Sequence, residues 1–230
     1  MVRVTLGGDE LAGFPGDGPD QRIRMFFPAD GQGRPALPRG SSGGPVWPPG
    51  VPRPAMRTYT VRRFDPASGE LDVDFVLHDG AGPAAAWAQR AAAGDWVGVS
   101  DPGGRFRPDP EVDTLLLIGD ESALPAIATI LAELPAGARA EAFVEVADAA
   151  EEQPLSSAAE LRTQWLHRRD AAPGTALTAA VRAAQLPQGR YQAWVSGEAS
   201  AVRELRDHLL DDRGLDRRQV YATNYWRRRS

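Results

Sequence analysis

The chain has 230 residues, 42% of them hydrophobic, and a formal net charge of -5, which suits one large or two small soluble domains with a real core and argues against broad non-specific binding of nucleic acid. It contains no cysteine, which excludes disulfides, cysteine-ligated zinc, iron–sulfur clusters and a thiol nucleophile, so any redox chemistry must come from a bound organic cofactor. All 26 strongly basic side chains are arginine; no lysine can act as Schiff base or general base, and anions must be held by guanidinium forks.

The first part of the chain is written in short strands. RVTLGGD, QRIRMFFP, MRTYTVRRF, ELDVDFVLH and DWVGVSD are rich in β-branched and aromatic residues and are separated by Gly, Pro and Asp. Five strands at this spacing predict a small antiparallel barrel. DPASG between MRTYTVRRF and ELDVDFVLH predicts a hairpin. The alternation in the second of these strands puts Leu71, Val73, Phe75 and Leu77 on one face and Asp72, Asp74, Val76 and His78 on the other. The Pro- and Gly-rich stretch over residues 29–55 is too long for an ordinary loop; its middle reads as disordered, with Trp47 as an anchor.

From about residue 111 strands alternate with helices. DTLLLIGD, ARAEAFVEVAD, TQWLHR, YQAWVSG and RQVYATNYW read as strands, and ESALPAIATILAEL, ALTAAVRAAQ and EASAVRELRDHLLDDRG as helices. This order predicts a parallel sheet with right-handed crossovers, whose ligands bind at the carboxyl ends of the strands. The chain shows no apolar run near the roughly 18 residues of a membrane helix and no signal-peptide order at its start, so a cytoplasmic location without membrane insertion is expected. His78, His167 and His208 lack metal-ligand spacing, and no metal site is expected.

Several segments could carry chemistry. In RTYTVRRF, Arg57 and Tyr59 share one strand face and could hold an anion and a flat ring. GPAAAW, Gly82 to Trp87, opens a helix with small residues and free backbone N–H groups, a compact anion site or a plain helix start. In LIGDESALP, Gly119 could admit a nucleotide to the helix N-terminus; alternatively Asp120 and Ser122 are ordinary caps, Glu121 suits the dipole and Pro125 the first turn. Glu145 at a strand end could accept from ribose hydroxyls or simply be exposed. Gly197 and Glu198 repeat the glycine-before-acid pattern at another strand end. The closing YWRRRS is a solvated tail or, beside its aromatic pair, an attractor of anions.

Taken together, VTLGGDELAGF, the R-x-Y-T of residues 57–60, DFVLH with GPAAAWA, DPGGRF, LIGDESALPAI, FVEVAD, WVSGE and YWRR resemble the siderophore-interacting protein family over nearly the whole chain. These are ferric-siderophore reductases of the ferredoxin-reductase superfamily. The resemblance implies a β plus α/β fold: an N-terminal antiparallel FAD-binding β-barrel over residues 1–110, then a C-terminal parallel-sheet NAD(P)H-binding domain over residues 111–230. It implies that Arg57 pairs with the FAD diphosphate, that Thr58 and Tyr59 contact the cofactor with Tyr59 on the isoalloxazine, and that Thr60 acts beside its reactive nitrogen. Asp74, Val76, His78, Gly82, Ala84, Ala85 and Trp87 would add contacts to the rest of FAD. Gly119, Asp120, Glu121, Ser122, Glu145, Gly197 and Glu198 would line the NADH or NADPH side, Tyr225 and Trp226 would add cofactor contacts, and Arg227 and Arg228 would meet the anionic ferric siderophore. The implied reaction passes electrons from NAD(P)H through FAD to iron(III) and releases iron(II). Two alternatives remain: a catalytically silent binder of flavin or iron chelate, and a reductase driven by ferredoxin.

Overall fold

RTYTVRRF does not form one strand. Its first half is β3 (Ala55–Thr60) and its second half β4 (Arg63–Asp65), and the two belong to different sheets of a computed structural model that describes residues 1–230 except 17, 30, 41–44, 78–81, 187–188 and 229–230. The chain turns at Val61 and Arg62, whose N–H groups donate to Gln21 O and Asp72 O at 2.8 and 2.9 Å. With β1 (Val2–Leu6), β2 (Arg22–Phe27), β5 (Glu70–Phe75) and β6 (Gly98–Val99), they make two antiparallel three-stranded sheets, β1-β5-β4 and β3-β2-β6. The predicted hairpin is therefore β4 with β5, while β3 pairs with β2. One strand shared between two sheets at a bend is how a small barrel turns its corner.

The inward residues follow the period of two. Ile23, Met25 and Phe27 of β2 and Leu71, Val73 and Phe75 of β5 are almost wholly buried and share one core with Trp87 of helix α1 (Pro83–Arg90). The opposite face of β5 is not bare to solvent as its alternation suggests. Asp72 and Asp74 are buried because cross-strand neighbours cover them: Arg3 grips Asp74 at 2.6 and 2.9 Å, Thr5 donates to Asp72 at 2.7 Å, and Arg63 reaches Asp72 at 2.8 Å. The described part of the Pro/Gly-rich segment is fastened rather than loose. Trp47 stands edge-on to Phe26 with ring centroids 6.0 Å apart, and Arg39 and Val46 form an antiparallel bridge. Residues 41–44 at the middle of that segment lie outside the described residues.

The second unit, Phe106–Ser230, follows the first, Met1–Arg105. It contains β7 (Thr114–Asp120), α2 (Leu124–Glu133), β8 (Arg139–Val146), β9 (Glu160–His167), α3 (Thr175–Ala183), β10 (Tyr191–Glu198), α4 (Ala199–Asp207) and β11 (Val220–Trp226). All five strands are parallel in the order β11-β10-β7-β8-β9. β7 is buried at every position, as its unbroken apolar run requires in the middle of a two-faced sheet. Between β8 and β9 the connection holds only a single 3-10 turn, Ala149–Glu151. The last helix passes into a π turn at His208–Asp212, where His208 bonds Asp212 at 2.7 Å and Arg213 donates to the other ring nitrogen at 3.1 Å.

Candidate cofactor sites

In the first unit, β3 brings Arg57 and Tyr59 to one face, the face whose β2 partners Met25 and Ile23 are buried. Because β3 is an edge strand, Arg57 nonetheless reaches solvent. Its guanidinium lies beside the start of α1: a Cβ placed on Gly82, the helix N-cap, would stand 3.7 Å from Arg57 Nη2. Its N-cap, a glycine, offers no side-chain cap, and no acid lies in its first turn. The Ala84 and Ala85 methyls are buried beneath it. A guanidinium with no acid partner among the described residues, one nitrogen of which donates to Met56 O at 2.7 Å, stands beside the free N–H groups of a helix start, the donor set a diphosphate requires. Tyr59 is half-buried, its ring 4.4 Å from that of Phe75, and burial pushes its hydroxyl up to about 12. Thr60 is buried, whereas Thr58 lies exposed on the outer face. These residues fit FAD.

Two expected contacts have other work. Asp74 is committed to Arg3 and, at 3.6 Å, to Arg62. Trp87 is 4% exposed and packs its ring on Phe27 and Phe75 in the core. Val76 is half-buried just past β5, and His78 lies outside the described residues.

In the second unit the strand order reverses between β7 and β10, and acids gather at their carboxyl ends. Asp120 is 2% exposed and ties three strand ends together. Its Oδ1 accepts from Ser122 N and Oγ at 2.9 and 2.5 Å, and its Oδ2 from Glu198 N and the Trp226 indole, both at 2.8 Å. Burial, with help from the neighbouring Glu121 carboxylate, pushes Asp120 up to about 6 against the pull of the Ser122 and Trp226 hydrogen bonds. Helix α2 therefore starts at Leu124, later than expected, because Asp120 and Ser122 bind one another in the turn before it.

Glycine is required at both strand ends by this chain's own packing. A Cβ on Gly119 would lie 2.5 Å from Ala123 Cβ and 2.9 Å from Ser196 O. Gly197 has φ +146°, and its Cβ would meet Asp120 Oδ2 at 2.6 Å. Glu198 caps α4 through Ser200 and Ala201 and also accepts from Arg228 N at 3.3 Å. Although burial opposes it, these hydrogen bonds hold Glu198 below the usual carboxylate range.

Glu145 is fully buried and accepts from Gly174 N and Leu177 N at the start of α3, at 2.7 and 3.0 Å, so it caps a helix. Arg168 links it, at 3.4 Å, to Glu121, which Arg168 holds at 2.5 and 2.9 Å. These bonds occupy both carboxylates. Nothing in the local sequence marks Arg168, since its partners lie 23 and 47 positions away. Among the described residues, Ser196 Oγ is buried with no hydrogen-bond partner, at the register step shared with Gly119 and Thr223. A nicotinamide nucleotide at the switch point fits that unanswered hydroxyl better than it fits the committed acids. Tyr225 packs edge-on to Trp194, while Arg227 and Arg228 are exposed.

Among the described residues no group of three His, Asp or Glu could hold a metal ion, and no helix is long and apolar enough to cross a membrane. Residues 1–106 match the family model of the siderophore-interacting FAD-binding domain, and residues 112–229 that of the siderophore-interacting protein. The chain is 36% identical to the ferric vibriobactin reductase ViuB of Vibrio cholerae over 99% of this chain and 84% of that one. It is 33% identical to an NADPH-dependent ferric-chelate reductase of Escherichia coli, over 97% and 86%. A siderophore utilization protein from T. fusca superposes with a TM-score of 0.85 at 42% identity, covering 98% of this chain and 86% of the other. An FAD-binding antiparallel unit followed by a five-stranded parallel unit, matched along nearly its whole length, places the chain in the siderophore-interacting protein family.

Proposed function

We propose that the chain is a flavin-dependent reductase that takes electrons from NAD(P)H through FAD to iron(III) held in a siderophore and releases iron(II). One observation carries the reading: the Arg57 guanidinium beside the start of α1, whose N-cap is a glycine and whose first turn holds no acid, with Tyr59 on the same strand face. The names of the Vibrio cholerae and Escherichia coli relatives support it. When bound, FAD supplies the chemistry, accepting a hydride and returning electrons singly.

The chain's own residues bind and orient. Arg57 and the first N–H groups of α1 hold the diphosphate, Tyr59 offers a half-buried ring surface, and Thr60, at the end of the same strand, supplies a hydroxyl to the flavin. In the other unit Ser196 reads the nicotinamide nucleotide, while Asp120 fixes the turns around it. The guanidinium groups of Arg227 and Arg228, exposed and without an acidic partner among the described residues, attract the anionic chelate. Release follows because iron(II), less charged and softer, is held weakly by hard oxygen ligands. Dependence on NAD(P)H supports a cytoplasmic site for the reaction.

The test loads the protein with FAD, adds NADH, NADPH or reduced ferredoxin anaerobically, and follows flavin absorbance and iron(II) capture by ferrozine from a ferric siderophore. Bleaching with iron(II) release under a nicotinamide is expected. A protein that cannot be loaded with FAD overturns the proposal, FAD loading with neither bleaching nor iron(II) indicates a silent binder, and turnover with ferredoxin alone reassigns the donor.

A further inference from the structure

Five large apolar side chains are exposed among the described residues: Leu37, Val46, Val51, Met56 and Trp96. Leu37 and Met56 lie on the side of the sheet β3-β2-β6 that carries Phe26. Met56 and Gly98 flank Phe26 as its cross-strand partners, and Trp47 stands on Phe26. Leu37 packs on Gly98 where a Cβ would collide with it, and Val46 precedes Trp47. Arg34 stacks its guanidinium over Trp96 at 3.4 Å, and Arg53 lies 5.4 Å from the Trp47 ring.

This apolar face is also strongly basic. Between residues 24 and 56 the sequence holds four arginines and one acid, Asp30, in a chain of net charge -5, so this stretch carries +3 and the remainder -8. Arg24, Arg34, Arg39 and Arg53 are exposed, and none is paired with an acid among the described residues. Asp95, next to Trp96, has its carboxylate engaged by Ala92 N at 2.9 Å.

We propose that this face docks on an anionic lipid surface. Apolar and aromatic side chains enter the headgroup boundary while the arginines meet lipid phosphates, and the two signals together exceed the marginal binding either provides alone. The acidic remainder is repelled by the same surface, which orients the bound protein. A second copy is the poorer occupant, because a twofold contact through this patch would set arginines against arginines. The inference is independent of the flavin reading, since none of these residues belongs to the cofactor sites.

The experiment sediments the full FAD-loaded chain with vesicles of phosphatidylcholine alone or with one third phosphatidylglycerol, at low and high salt. Binding to the anionic vesicles only, reversed by salt, is expected, together with quenching of tryptophan fluorescence by brominated lipid. Arg34→Gln with Arg53→Gln lowers partition roughly 25-fold, at about fivefold per arginine. Trp96→Ser, or Leu37→Ser should that variant fail to fold by circular dichroism, weakens binding and the quenching with it. Arg227→Gln with Arg228→Gln leaves partition nearly intact. Equal binding to both vesicle types, undiminished binding by the Arg34/Arg53 variant, or loss on changing only the tail arginines overturns the proposal, as does a concentration-dependent dimer that binds no vesicles.

Discussion

Asp120→Asn separates the cost of a buried charge from the value of the bonds it accepts. The carboxyl stands at about 6 instead of 3.8, a difference of about 3 kcal/mol. The folded state binds this proton more tightly than the unfolded chain does. The stability it contributes is therefore fully present below 3.8 and is lost as pH rises through about 6. Asparagine does not titrate, but an amide NH2 at the Oδ2 position faces two donors, Glu198 N and the Trp226 indole. That mismatch costs about 1–3 kcal/mol at every pH. Urea unfolding from about pH 4 to about pH 7.5 is the assay, with the gap between wild type and variant as the readout. The variant should be clearly the less stable protein in acid, and the gap should close by up to about 3 kcal/mol, or reverse, by neutral pH. A gap constant across the range would refute the claim that Asp120 is a destabilised carboxylate at neutral pH.

Arg57→Ala should weaken FAD retention by roughly 10- to 100-fold in equilibrium dialysis, the loss of one charge-assisted contact; unchanged retention removes Arg57 from the site. Glu145→Ala leaves Gly174 N, Leu177 N and one side of Arg168 without their acceptor. It should cost about 3–5 kcal/mol, with hydrogen exchange accelerating first in α3. Gly119→Ala forces a methyl against Ala123 and the Ser196 carbonyl and should cost about 1–3 kcal/mol by thermal unfolding.

The legible parts of this protein share a reason. Strand periodicity in RIRMFF and LDVDF, the continuous apolar run of TLLLIG and the alternation of strands with helices are properties of neighbouring residues, and each reads correctly because burial follows the local period. Arg57 and Tyr59 share a face for the same reason. The roles of the acids were not legible in this way. Asp74, Glu145 and Glu198 sit where cofactor-contacting acids are expected, yet the fold supplies each with partners: Arg3 across a strand pair, the start of α3, and the start of α4. No local pattern distinguishes an acid that meets a ligand from one that closes a helix.

Alone, the sequence determined the division into an antiparallel half and a parallel half, the absence of thiol and lysine chemistry, and the strand that offers Arg57 and Tyr59. Tertiary structure decided that RTYTVRRF bends into two sheets, that Arg57 stands by Gly82, that Asp120 ties three strand ends, and that exposed Leu37 and Met56 share the Phe26 side of one sheet. Periodicity is set within a few residues of chain, whereas a carboxylate's partners, and hence its charge and its availability to a ligand, are set by what folding brings to it from far along the chain.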